Sequence, residues 1–284
     1  KIIYRKSKTM IEKHNFSAGP CILPKEVIQQ SAKAILNFNN DNLSLIEISH
    51  RSNPFVKVMQ KAQKLVCELL EVPKGYSILF LQGGASMQFL MTAYNLLEKK
   101  AGYVNSGTWS SKAIKEARLL GEVLELASSK DQNFNYIPKD YAIPNDLDYL
   151  HITTNNTIYG TQFQFIPETD VPLIADMSSD IFSRPFDYSK FDMFYAGAQK
   201  NMGPSGVTLV VIKESSFNKV SRVIPSMLNY EVQSNAGSMF NTPPVFPVYT
   251  VLLNLRWIAK KGGLDGVGAQ NSEKAAIGAN KQAT

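Results

Sequence analysis

Short apolar runs alternate with segments whose apolar residues recur at helical spacing, and this alternation limits the possible folds more than any other feature of the chain. Residues 77–81 read as a strand and 86–97 as a helix. A short strand at 103–104, a helix over 109–120 and a strand over 122–126 follow. Residues 149–153, 173–176, 193–196 and 207–212 are further strands of the continuously apolar kind that is buried on both faces. Strands interleaved with helices predict a three-layer α/β/α sandwich around a mostly parallel sheet. Upstream, Phe55, Val58, Met59, Ala62, Leu65, Val66, Leu69 and Leu70 keep the i, i+3, i+4, i+7 rule. With Pro54 in the first turn and Pro73 and Gly75 beyond the end, a helix over 55–70 is predicted. An earlier helix, over 24–38, starts at Pro24 and shows Val27, Ile28, Ile35 and Leu36 on one side.

The 284 residues are enough for a substantial core and about two domains. The formal charge of +6 is concentrated at the start, where Lys1, Arg5, Lys6 and Lys8 stand among nine residues without an acid. The body is therefore near neutral, with no basic stripe to follow a phosphate backbone, so no nucleic-acid partner is expected. Apolar runs such as 78–81 and 207–212 are too short to span a bilayer. Residues 1–9 lack the apolar stretch and cleavage pattern of a signal peptide and read as a leader before a natural start at Met10. Cys21, Cys67, His14, His50 and His151 are scattered without metal-ligand spacing, so neither a disulfide framework nor a metal site is expected. Few cysteines and no export signal favour the cytoplasm.

Ligands of such sheets bind beyond the carboxyl ends of the strands, so candidate residues are sought there. Lys200 lies in a small-residue loop (196–204) between two predicted strands. A desolvated lysine there becomes a nucleophile towards carbonyls, although a single loop lysine is more often simply solvated. Asp176 ends the strand 173–176. A carboxylate so placed can keep the pyridine nitrogen of pyridoxal phosphate protonated, or else cap a helix. Gln82–Gly83–Gly84–Ala85–Ser86 joins a strand to a helix, where backbone N–H groups can approach a phosphate. The same run also serves as a plain tight turn, and it matches neither the P-loop nor the dinucleotide fingerprint. Trp109, after a short strand, can stack on a ring or pack in the core.

These features together with longer motifs carry a resemblance. Asn15–Phe16–Ser17–Ala18–Gly19–Pro20, Ile48–Ser49–His50–Arg51–Ser52, the run from Tyr195 to Asn201 and the run from Gly237 to Pro244 are similar to motifs of the phosphoserine aminotransferase family. That family belongs to the pyridoxal-phosphate-dependent transferases of fold type I, and the resemblance covers about residues 15–263.

The resemblance implies that Lys200 binds the cofactor and later moves a proton at the substrate Cα, while Asp176 pairs with the pyridinium nitrogen. It further implies that Trp109 stacks on the ring, that Thr157 makes a polar contact, and that Ala85, Ser86 and Gln199 hold the phosphate. Some members carry Arg where this chain has Ser86. Asn241 and Thr242 would reach the cofactor of a second subunit, giving a homodimer with active sites at its interface. Arg51 would anchor the substrate through its planar fork, with His50 beside it. The implied reaction moves the amino group of L-glutamate to 3-phosphohydroxypyruvate, giving O-phosphoserine and 2-oxoglutarate. This is a step of serine biosynthesis; some bacterial members of the family also act on a phosphorylated hydroxythreonine precursor on the route to pyridoxine. Alternatives are another pyridoxal-phosphate-dependent aminotransferase of small substrates, or a catalytically silent cofactor-binding fragment. The expected organisation is a leader (1–9), a large cofactor-binding domain including the N-terminal arm (10–265), and a remnant (266–284) of a small C-terminal domain that is otherwise largely absent.

Overall fold

A computed structural model describes residues 14–282, with side chains through residue 277; the leader and Met10 lie outside the described residues. Seven strands form one sheet: β1 (Tyr76–Leu81), β2 (Lys100–Asn105), β3 (Glu122–Ser128), β4 (Tyr149–Thr153), β5 (Leu173–Asp176), β6 (Met193–Gly197) and β7 (Thr208–Lys213). Their order is β1-β7-β6-β5-β4-β2-β3. β7 runs antiparallel to both its neighbours, and every other pairing is parallel.

Helices cover both faces. On one lie α1 (Lys25–Leu36), α2 (Asn53–Leu69) and α6 (Val245–Lys260), packed on Leu173, Ala175, Phe194, Ala196, Leu209 and Val211. On the other lie α3 (Gly84–Leu96), α4 (Thr108–Ala117) and α5 (Tyr230–Asn235), packed on Ile174, Met193, Tyr195, Val210 and Ile212. Alternate residues of each central strand thus feed opposite cores, which is why these strands read as unbroken apolar runs. The three-layer sandwich with a mostly parallel sheet is the expected architecture. Among the described residues no helix is long and apolar enough to cross a membrane.

Three elements differ from the expectation. Strand β2 is longer than 103–104. Lys100, Gly102 and Asn105 dilute its apolar signal, yet β3 and β4 pair with it on both sides. Helix α1 buries Val27, Ser31 and Ala34 instead of its larger apolar residues, leaving Ile28 53% and Leu36 81% exposed. The buried face is the small-residue one because α1 lies close against α6, where the Ser31 and Thr250 hydroxyls meet at 3.2 Å. Finally, α7 (Gly263–Gln282) is one continuous helix running through residues 265 and 266, tied down by Val267 and by Asn271 Nδ2 donating to the Ser183 carbonyl at 2.9 Å.

Candidate active site

The strands β4, β5 and β6 are parallel neighbours, so their carboxyl ends open on the same edge of the sheet. A cavity of about 170 Å³ lies there, lined by Thr153 and Asn155 past β4, Asp176, Ser178 and Ser179 past β5, and Gln199 and Lys200 past β6. The first turn of α3 (Gly84, Ala85, Ser86) and Trp109 of α4 complete its wall. Both helices start directly after strands parallel to β4–β6, which points their N-termini at the cavity.

Lys200 Nζ donates to Ser179 Oγ at 2.7 Å and to Thr157 Oγ1, and those two hydroxyls are 2.5 Å apart. Burial lowers the Lys200 amine from its ordinary value, while the negative charge of Asp176, then Cys21 and Asp180, works in the opposite direction. Asp176 is 4% exposed and accepts the Ser178 backbone N–H at 2.9 Å. Burial raises its carboxyl, against the Ser178 hydrogen bonds and the Lys200 charge. The Ser178 hydroxyl in turn accepts the Gly197 N–H at 3.1 Å, which locks the β5 turn to β6.

The N-terminal segment crosses over this lysine. Cys21 N donates to the Gln199 carbonyl at 2.9 Å, and a Cβ on Gly19 would stand 3.2 Å from Lys200 Cγ. A side chain there would crowd the Lys200 stem, so the glycine eases the close crossing, which gives the Asn15–Pro20 motif its physical content. Lys200 also borders a second cavity of about 400 Å³, shared with Cys21, Phe182, Asn201, Asn254 and Trp257.

Of the residues expected from the sequence, Ala85, Ser86, Trp109, Asp176, Gln199 and Lys200 line the one cavity, and Thr157 joins them through Lys200. Asn241 instead borders a separate cavity of about 290 Å³ with Gln82, Gly83 and Met87, and the Thr242 carbonyl accepts from Gln82 Nε2 at 2.9 Å. Arg51 is exposed and His50 half-buried, and neither lines the Lys200 cavity. Thr153, Asn155, Ser178 and Ser179 were missed in the sequence. The available signal was their position at or just past the ends of 149–153 and 173–176, two strands legible to the residue.

Chemically, the site can hold a flat ring with an anionic tail: helix N–H groups for the tail, an indole face, and a buried acid and an amine converging on one space. Two buried polar atoms at its wall, Trp109 Nε1 and Thr153 Oγ1, have no hydrogen-bond partner, as befits a wall built to meet a polar ligand.

The comparisons with known proteins agree. A model of the class-V aminotransferase family matches residues 13–281. A phosphoserine aminotransferase of Bacteroides fragilis is 58% identical over 265 residues, spanning 93% of this chain and 75% of that relative. The solved phosphoserine aminotransferase of Bacillus circulans subsp. alkalophilus superposes with a TM-score of 0.91 at 44% identity, covering 94% of this chain and 75% of that one. The phosphoserine aminotransferase of Trichomonas vaginalis, solved with pyridoxal phosphate bound, superposes with a TM-score of 0.88 at 35% identity, covering 92% and 75%. The chain belongs to the class-V aminotransferases and, within them, to the phosphoserine aminotransferase family.

Proposed function

We propose that the protein is a pyridoxal-phosphate-dependent phosphoserine aminotransferase of serine biosynthesis, moving the amino group of L-glutamate to 3-phosphohydroxypyruvate. The observation that carries this reading is the convergence of Lys200, Asp176, Trp109 and the first turn of α3 on one cavity at the strand ends. When bound, pyridoxal phosphate supplies an aldehyde that joins amines and a protonated ring that draws electrons from the substrate Cα.

The chain's residues divide the remaining work. The backbone N–H groups of Ala85 and Ser86 hold the phosphate at a helix N-terminus, with Gln199 beside them. Trp109, which lines the cavity, would stack on the ring. Asp176, buried as a carboxylate acceptor, holds the proton at the ring nitrogen. Lys200, with its amine lowered by burial, is more readily neutral than a surface lysine; it would hold the cofactor and would move a proton at the substrate Cα. Thr157 and Ser179 orient that amine.

Asn241, Thr242, Arg51 and His50 lie off the chain's own Lys200 cavity, which supports a homodimer in which they serve the site of the other subunit. Arg51 would there grip a carboxylate or phosphate in two-point fashion. The same anion-holding chemistry would also take a phosphorylated hydroxythreonine precursor on the route to pyridoxine. Both cysteines are free, which suits a cytoplasmic location.

Purified protein given pyridoxal phosphate should show the cofactor's visible band and turn over L-glutamate with 3-phosphohydroxypyruvate. Lys200→Ala should lose both the band and the turnover. A band of unchanged intensity in that variant would reject the lysine assignment.

A further inference from the structure

Asp180 is a second buried carboxylate beside the site, and the chemistry above leaves it without a task. It is 6% exposed and stands one residue past Ser179, whose hydroxyl touches the Lys200 amine. Its Oδ1 accepts the Thr154 hydroxyl at 2.6 Å, and its Oδ2 accepts Gln162 Nε2 at 3.3 Å. Arg184 Nη2 lies 3.9 Å from Oδ2 and partly balances the charge.

Thr154 and Gln162 are the two sides of a hairpin. Phe163 N donates to the Thr154 carbonyl at 2.8 Å, Asn156 N donates to the Thr161 carbonyl at 2.7 Å, and Asn155 pairs with Gln162 across the ribbon. Between them the chain turns through Thr157, the residue that accepts from Lys200 Nζ. The turn holding Asp180 is fixed independently: Asn201 Nδ2 donates to the Ser179 carbonyl at 2.9 Å and the Ile181 carbonyl at 3.1 Å. Thr154 N also donates to the Asp176 carbonyl at 3.0 Å, so the backbone already joins that side of the hairpin to β5. The Asp180 carboxylate adds a side-chain tie from both sides of the hairpin to the turn anchored beside Lys200.

We infer that Asp180 is a positioning residue: by tying the 154–163 hairpin to the β5 turn through Thr154 and Gln162, it makes the hydroxyls of Thr157 and Ser179 converge on the Lys200 amine. A carboxylate suits this better than a neutral group, because its two oxygens accept from two donors at once and such charge-assisted bonds are the stronger ones. Isolated surface hydroxyls would leave a long lysine stem to sample several rotamers. The relevance of this arrangement to turnover rests on the reading of Lys200 as the cofactor lysine.

The test reads the amine itself. In the cofactor-free full chain, trace acetylation of Lys200 is followed against pH by mass spectrometry of its peptide. The titratable groups facing the amine are Asp176, Cys21 and Asp180, the Cys21 thiol being pushed up by burial. Thr154→Val removes the hydroxyl's bond to Asp180, together with its longer 3.2 Å contact to the Asp176 carbonyl, without changing any charge and with the Thr154 backbone bond to Asp176 kept. It should lower the labelling midpoint by about one pH unit, because a hydrogen bond that favours the ammonium is lost. Thr157→Val should give the same fall, the double variant no more than either alone, and Thr154→Ser the parent midpoint. In the loaded enzyme Thr154→Val should lower kcat about tenfold with KM little changed.

An unmoved midpoint in Thr154→Val, or falls that add in the double variant, would overturn the inference even if melting temperature dropped. Should Thr154→Val not fold, Asp180→Asn is compared in the parent and in Thr157→Val. A clearly smaller fall in the second background supports positioning, and equal falls leave only a direct charge effect and refute it. A chain that labels as expected yet shows no visible band with pyridoxal phosphate would sink the proposed function and not the role of Asp180.

Discussion

Single residues at the strand ends decide the chemistry, and the layer beneath them decides how the site tolerates acid. His151 lies on β4 two residues before Thr153, on the same face, stacked on Tyr103 at 4.8 Å and sharing a 2.9 Å hydrogen bond with the Tyr195 hydroxyl. Tyr195 is the β6 register partner of Asp176, so this pair lies beside the acid on the sheet. Burial lowers the His151 imidazole from 6.5 to about 3. The unfolded chain therefore binds the extra proton between those values and the folded chain does not. Stability from this group is complete above pH 6.5 and is lost as pH falls towards 3, by up to about 1.4 kcal/mol per pH unit. His151→Gln keeps a hydrogen-bonding group without the titration. Urea unfolding at a series of pH values should show a flatter acid limb for the variant, whereas parallel limbs would place the acid sensitivity elsewhere.

Legibility at this scale followed chemical distinctiveness. Lys200 and Asp176 stood out because a charge at the end of an apolar strand is unusual. Ser178, Ser179 and Thr153 looked like any other small polar residues, and the partnership of Asp180 with Thr154 and Gln162 joins positions 26 and 18 residues apart that no local pattern couples.

Among the elements, those ruled by local periodicity were readable and those ruled by neighbours were not. Helix α2 carries eight apolar positions on one stripe, and its observed buried residues, Phe55, Val58, Met59, Ala62 and Val66, belong to that stripe. Helix α1 is legible only in part: Val27 of its apolar set is buried and Ile35 half-buried, but Ile28 and Leu36 are exposed, because its partner α6 demands close approach, which Ser31 and Ala34 provide.

The start of α3 sits between these cases. The Gly83–Gly84 pair was legible as a turn, but the demand on it is geometric. Gly83 adopts φ +92°, and a Cβ there would come 2.6 Å from the Met87 Cβ. Gly83→Ala therefore combines backbone strain with a clash against the helix it precedes, for about 1–3 kcal/mol of destabilisation. Since the next residues line the cavity, the same change should loosen the phosphate seat. A raised dissociation constant for pyridoxal phosphate together with a lowered melting temperature is expected, and a variant with parent-like values for both would show that this turn adapts.

For the whole molecule, the decisive fact is which residues do not meet. Lys200 and Asp176 share a cavity, while Arg51 is exposed away from it and Asn241 borders another. A single chain with this geometry offers a place for the cofactor and leaves the proposed substrate anchor elsewhere. In the proposed homodimer, Arg51 of each chain would serve the lysine of the other. This arrangement makes a sharp prediction for mixtures. Lys200→Ala chains and Arg51→Ala chains are each expected to have little activity alone. Unfolded together and refolded in equal amounts, they form mixed dimers in which one site has lost both residues and the other keeps both. Random pairing puts half the dimers in that class, so about a quarter of all sites should recover parent turnover. If Arg51 served its own chain, every site in the mixture would lack one of the two residues, and mixing would recover nothing. Turnover of L-glutamate with 3-phosphohydroxypyruvate, measured before and after joint refolding, separates the two geometries. Mass spectrometry of the intact refolded dimers, with one variant isotope-labelled, counts the mixed pairs, so that a null recovery in their presence counts against the shared site and not against the refolding.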